Sequence, residues 1–256
     1  MGTLTDRVAL VTGATSGIGR AVAEAFAGQG ANVVGVGRNG AAGVEMERAL
    51  RGAGGRFRFV SCDVGREEEV DALFAGVRAD AGRLDLAVNC AGVEHTASLA
   101  ECDADAYDRV FGTNVRGLFL CLRAEIRSMG ESGGGAIVNV GSIAGRRAFR
   151  RNGLYGASKA AVTMLTRTCA LECGGLGIRV NEVAPGPTAT PMLGRYLDGL
   201  PAAEAAALRD KMSAATPLGA ISTATDVARA IVFLCSDEAG QITGATLTVD
   251  GGFVLA

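Results

Sequence analysis

The chain has 256 residues, 48% of them apolar and 20% charged, with a formal net charge of −2. That length suits one large α/β domain better than two small ones. The near-neutral balance argues against broad attraction to nucleic acid or to an anionic membrane surface. Seven cysteines are scattered without a C-x-x-C pair, which reads as free thiols in a reducing cytosol. His95 is the single histidine, so no histidine-rich metal site is expected; it reads as a loop residue near a pocket.

The opening MGTLTDRVALVTGATSGIG carries no long apolar core behind a basic start, so it reads as a first strand at 8–11 rather than a secretory leader. No apolar run approaches the roughly 18 residues of a membrane helix. The strand enters TGATSGIG, and a helix is predicted at 18–29. Gly13, Gly17 and Gly19 let the backbone turn sharply and approach a pyrophosphate, which the following helix N-terminus would hold. A plain tight turn is the competing reading.

The second strand, 32–36, leads to Gly37-Arg38-Asn39. NAD sites usually carry an acid about 20 residues beyond the glycines, on the ribose 2′-hydroxyl. A glycine stands there instead, and the planar fork of Arg38 suits a 2′-phosphate. NADP(H) is therefore favoured and NAD(H) stays open, since Thr15 and Ser16 add no second basic group. An exposed arginine at a strand end is the alternative.

Further strands are expected at 57–62, 84–89, 136–140, 178–184 and 245–249, with helices at 41–53, 67–81, 104–129, 153–173 and 226–236. The strands are continuously apolar, as in a parallel sheet buried on both faces. The alternation predicts a single-domain α/β fold: a doubly wound parallel sheet of about seven strands with helices on both faces. The segment 187–223 breaks this rhythm. It begins among Pro185, Pro187 and Pro191, turns alanine-rich and helical, and follows a strand's carboxyl end, where a helical substrate lid belongs.

Tyr155 and Lys159 are four apart in a predicted helix, hence on one face. A phenol near pKa 10 needs roughly 4 kcal/mol of help to act near neutrality. An ammonium about 4 Å away at an effective dielectric near 20 supplies about that much. Such a pair runs acid–base chemistry without histidine. Ser142 lies just past the fifth strand, where open α/β sheets build their sites. Asn89 ends the fourth strand, and Asn114 stands in the next helix. Singly, each has a bland reading: strand-end capping for Ser142, a locally satisfied polar residue for Asn114.

Together these motifs resemble the short-chain dehydrogenase/reductase family over essentially the whole chain: TGATSGIG, Asp63-Val64, NCAG, Asn114, Ser142, Tyr155-x-x-x-Lys159, Pro185-Gly186 and VDGG. The resemblance implies Tyr155 as acid/base and Ser142 as the group orienting the substrate carbonyl. It implies Lys159 on the nicotinamide ribose, lowering the tyrosine pKa, and Asn114 supporting a water that leads to Lys159. Gly13, Thr15, Ser16, Gly17, Ile18 and Gly19 would carry the pyrophosphate. Asp63 and Val64 would border the adenine; Asn89, Ala91 and Gly92 would line the cofactor; Pro185, Gly186, Thr188 and Thr190 would flank the carboxamide. NCAG stands where N-N-A-G is common.

Arg146, Arg147, Arg150 and Arg151 crowd the segment between Ser142 and Tyr155. Solvated surface, a clamp for an anionic or carrier-bound substrate through Arg147 and Arg150, and nucleic acid are the three readings. Phe149 is the only interleaved aromatic, which weakens the last. Met192, Leu193, Tyr196 and Leu197 in the lid either pack or meet an apolar part of the substrate.

The sequence thus predicts a cytoplasmic NADP(H)-dependent oxidoreductase acting on a ketone or secondary alcohol. A 3-oxoacyl-thioester reductase is a sibling reading, and a non-catalytic dinucleotide sensor or scaffold is the reading from another class. The resemblance implies a homotetramer formed through helices 104–129 and 153–173 and the last strand. Leu118, Leu122, Val162, Leu165 and Cys169 would serve that interface or an internal core.

Overall fold

In the computed structural model, which describes residues 2–255, seven parallel strands form one sheet. They are β1 (Val8–Thr12), β2 (Asn32–Gly37), β3 (Arg56–Ser61), β4 (Leu86–Asn89), β5 (Gly135–Val140), β6 (Ile178–Pro185) and, last in the chain, a strand at Thr246–Val249. Between β6 and that last strand lies a separate ribbon in which β7 (Thr188–Ala189) pairs with β8 (Ser222–Thr223), so the last strand is β9. The sheet order is β3-β2-β1-β4-β5-β6-β9. The order reverses between β1 and β4, and the carboxyl ends on either side of that reversal open a crevice.

Helices α1 (Gly17–Gly28), α2 (Gly40–Gly52), α3 (Glu67–Ala81), α4 (Ala104–Phe111), α5 (Leu118–Ser132), α6 (Gly153–Cys173), α7 (Pro191–Asp198), α8 (Ala202–Ala214) and α9 (Ala224–Cys235) fill the connections. Successive strand residues point to opposite faces, and β1 shows the division. Ala9 and Val11 join a core with Val22 and Phe26 of α1, Met46 of α2 and Ile231 of α9. Val8 and Leu10 join the other, with Leu73 of α3, Leu120 of α5 and Val162 of α6. The predicted strands and helices stand within about two residues of their places, with one exception.

That exception is the helix expected over 104–129. Gly112–Gly117 adopts a π-helical turn between α4 and α5. The wider turn brings the Asn114 side chain inward, where Oδ1 accepts from the Val93 N–H at 2.8 Å and Nδ2 donates to the Val93 carbonyl at 2.9 Å. A single-turn π-bulge of this kind commonly marks a functional position.

Leu118, Leu122, Val162 and Cys169 are buried within the chain's own core, and Leu165 packs against it. These residues therefore hold α5 and α6 to the sheet. The helices' exposed apolar residues are others: Phe119, Met164 and Leu171, at 48%, 61% and 87% exposure.

Candidate active site

A cavity of about 850 Å³ opens at the carboxyl ends of the strands and runs from the loops after β1 and β2 to helices α7 and α8. Its phosphate end is the turn after β1. Gly13 has φ +67°, and a Cβ there would stand 2.9 Å from the Ala91 nitrogen. Gly19 is needed for a different reason: its Cβ would fall 2.2 Å from the Gly13 carbonyl oxygen, so only glycine lets α1 pack this closely under the turn. Gly13, Thr15, Ser16, Gly17 and Ile18 line the cavity; Gly19 is buried behind them. No side chain caps α1 at Ser16, and its first turn carries no acid. Uncapped N–H groups, the positive helix end and the absent Cβ atoms fit a dinucleotide pyrophosphate.

At the neighbouring end, Gly37, Arg38, Asp63 and Val64 line the wall. A Cβ on Gly37 would approach the Thr15 side chain at 3.2 Å, leaving little room for an acid. Arg38 lies 3.8 Å from Asp63 and is 62% exposed, so this loose surface pair leaves its guanidinium available.

The opposite side of the crevice is catalytic in character. Ser142 follows β5, and Tyr155 and Lys159 lie one turn apart near the start of α6. The Ser142 hydroxyl lies near enough to the Tyr155 hydroxyl to act on it, and it accepts from the Ala144 N–H at 3.1 Å. Lys159 is buried, and its Nζ donates to the Val140 carbonyl at 2.8 Å and stands 5.7 Å from the Tyr155 ring centroid. The phenol does not sit low. Loss of solvent pushes it up to about 12, with the Ser142 hydroxyl acting against that shift and the Glu94 charge adding to it. The lysine expected to lower it is turned toward β5, and its own pKa is lowered by burial. A second space of about 10 Å³, roughly one water in size, is bordered by Asn114 and Lys159.

Ala91, Gly92, Pro185, Gly186, Thr188 and Thr190 line the main cavity as expected. Asn89 does not. Its Nδ2 donates inward to Glu125 at 2.9 Å and to Asn139 at 3.0 Å, and Asn139 donates to Thr166 at 2.9 Å. The end of β4 thus anchors a buried polar network behind the cavity wall.

A family model described as enoyl-(acyl carrier protein) reductase matches residues 13–254. The chain is 43% identical over 249 residues to a cis-4-hydroxycyclohexanecarboxylate dehydrogenase of Sinomonas cyclohexanicum, covering 97% of this chain and 96% of the relative. It is 40% identical to a 3beta-hydroxysteroid dehydrogenase of Mediterraneibacter gnavus, over 99% and 96%. A crystal structure of a putative short-chain dehydrogenase/reductase from Burkholderia xenovorans superimposes with a TM-score of 0.95 at 34% identity, covering 100% and 99%. This chain belongs to the short-chain dehydrogenase/reductase family.

As a member of that family it is an oxidoreductase acting on alcohols and ketones, and the family generally uses NAD(P)(H). Within this dehydrogenase fold the four arginines go separate ways. Arg146 reaches Thr248 Oγ1 at 3.5 Å. Arg147, one of the two arginines of the clamp reading, donates to the carbonyls of Phe253 and Val254 at 3.4 and 3.3 Å and lies over Phe149, pinning the C-terminal turn. Arg151 has φ +63° and pairs with Glu101 at 3.6 Å. Arg150 alone of the four lines the cavity, with Met192 and Tyr196 of α7. Glu94, Arg195, Lys211 and Phe253 line it too, and no local motif singled them out. His95 lies beside the site with Nδ1 3.2 Å from Arg109, and all seven cysteines are free. Among the described residues no helix is long and apolar enough to cross a membrane, and no cluster could hold a metal ion.

Proposed function

We propose that this chain is an NADP(H)-favouring dehydrogenase of ring-borne secondary alcohols, or equally a reductase of the matching ketones, with Tyr155 as its acid and base. The convergence of Tyr155, Ser142 and Lys159 on one cavity with the glycine turn carries this reading. When bound, NADPH would supply the hydride for the carbonyl carbon, while the Tyr155 hydroxyl gives its proton to the oxygen and becomes a tyrosinate. The Ser142 hydroxyl orients the carbonyl oxygen and then stabilises the tyrosinate. Desolvation pushes the phenol up to about 12, so transfer near neutrality needs the Ser142 hydroxyl and the Lys159 ammonium to stabilise the tyrosinate that forms. Lys159, buried nearby, serves the cofactor ribose, and Asn114 borders the small space through which a water re-supplies the proton.

Gly37 and Arg38 support NADP(H) over NAD(H). Two relatives named for a hydroxycyclohexane and a hydroxysteroid support a ring alcohol. The segment 187–223, held at its base by the β7–β8 ribbon, acts as the substrate lid. Exposed Phe119, Met164 and Leu171 support a homotetramer, and we place the enzyme in the cytoplasm.

Tyr155→Phe tests the assignment. Turnover should fall roughly 10²–10⁴-fold, the usual contribution of a positioned acid or base, while NADPH still binds by fluorescence titration. Turnover retained at the wild-type rate would remove Tyr155 from the mechanism.

A further inference from the structure

Three exposed cations line the cavity from three separate segments: Arg150 in the loop after β5, Arg195 in α7 and Lys211 in α8. Several arginines elsewhere are held by an acid, as Arg20 is by Glu24, Arg56 by Asp6 and Arg123 by Glu67. Arg150, Arg195 and Lys211 make no ion pair with any described residue. Glu94 also lines the cavity. Glu94 lies near enough to Arg195 and to Tyr155 for its charge to act on both, yet forms an ion pair with neither.

The charges of the lining differ in exposure. Glu94 is half-buried and its charge acts on the Tyr155 hydroxyl, whereas Arg150, Arg195 and Lys211 are exposed. The same lining carries the apolar side chains of Phe149, Met192, Leu193, Leu208, Met212 and Phe253. An anion placed near Tyr155 meets Glu94 and is repelled; placed among the three exposed cations, it relieves their mutual repulsion.

We propose that Arg150, Arg195 and Lys211 form the receiving site for an anionic substituent of the substrate, a carboxylate or a phosphate monoester. The substituent is separated from the reacting carbinol by an apolar body. The proposal rests on the oxidoreductase reading above and adds the substrate's charge and its placement. Two of the three cations are carried by α7 and α8, so the anion also draws these helices onto the substrate. Arginine forks and a lysine point charge together suit either kind of anion.

The test compares kcat/KM with NADPH for matched pairs of ketones: oxo acids on six-membered rings, five-membered rings and straight chains, each against its own methyl ester. A second arm compares a 3-oxoacyl phosphopantetheine thioester with its pantetheine counterpart lacking the phosphate. The proposal expects at least about a tenfold preference for the anion in one arm, a charge-assisted hydrogen bond's worth. The preference should reside in KM and shrink with added salt. The arm that shows it identifies carboxylate or phosphate.

Arg195→Ala and Lys211→Ala should each lower the acid-to-ester ratio, and the triple variant with Arg150→Ala should bring it to about one. Arg146→Ala, outside the cavity, should leave the ratio where it was. Equal rates on acid and ester in both arms, or a preference that survives the triple variant, would overturn the proposal while leaving the oxidoreductase reading in place. No cofactor oxidation with any ketone, neutral or charged, would overturn both.

Discussion

Glu125 is fully buried, accepts one hydrogen bond from Asn89, and is pushed by desolvation from an ordinary 4.5 up to about 8. Between those two values the folded chain keeps a proton that the unfolded chain has lost. Stability therefore falls as pH rises from about 4.5 to about 8, by about 1.4 kcal/mol per pH unit from this group, and levels off above. Glu125→Gln mimics the neutral acid and should flatten that dependence. Urea midpoints at pH 5 and pH 8 should diverge more in the wild type than in the variant. Equal divergence would contradict a protonated Glu125. The network also shows why the sequence alone does not fix which way the Asn89 side chain turns. Whether a polar strand-end residue faces a cavity or the interior depends here on partners 36 and 50 residues away. The same holds for the arginines: Arg147 turns to the C-terminus and Arg150 to the cavity, and only the path of the loop distinguishes them. Gly13, Gly17, Ser142, Tyr155 and Lys159 were legible because their spacing is fixed by one turn or one strand end.

Among the elements, β1 to β6 and the helices between them were readable from continuous apolar runs and helical spacing, since both faces of the sheet are covered. The π-helical turn left no such trace, because Gly112–Gly117 is as compatible with an ordinary helix as with a widened one. The two-residue strands β7 and β8 are too short for any periodicity to reveal. Burial within the chain also reassigns α5 and α6. With Leu118, Leu122, Val162 and Cys169 committed to the core, Phe119 on α5 and Met164 and Leu171 on α6 remain for association. Met164 and Leu171 are seven apart and so share one helix face. Light scattering should give four times the chain mass, and Phe119→Asp with Leu171→Asp should give a smaller species. A wild-type monomer, or a tetramer indifferent to both substitutions, would refute this use of the helices.

At the scale of the whole molecule, the sheet supplies a crevice where its strand order reverses, and two half-sites meet there. On the proposed function, the uncapped N–H groups of the β1 turn and α1 would hold phosphate, and the hydroxyls and buried ammonium of β5 and α6 would meet a carbonyl. Segment 187–223 closes the remaining side with apolar and basic residues. The motifs at strand ends disclosed the first two parts, but the third is assembled from residues without a local signature and needed the fold. The most direct test of the account follows deuterium from C4-labelled NADPH and, in parallel, from labelled NADH during reduction of a cyclic ketone. We predict label at the carbinol carbon, with kcat/KM about tenfold higher for NADPH, the contribution of one charge-assisted contact from Arg38 to the 2′-phosphate. Cofactor oxidation without label at that carbon, or a preference for NADH, would contradict it.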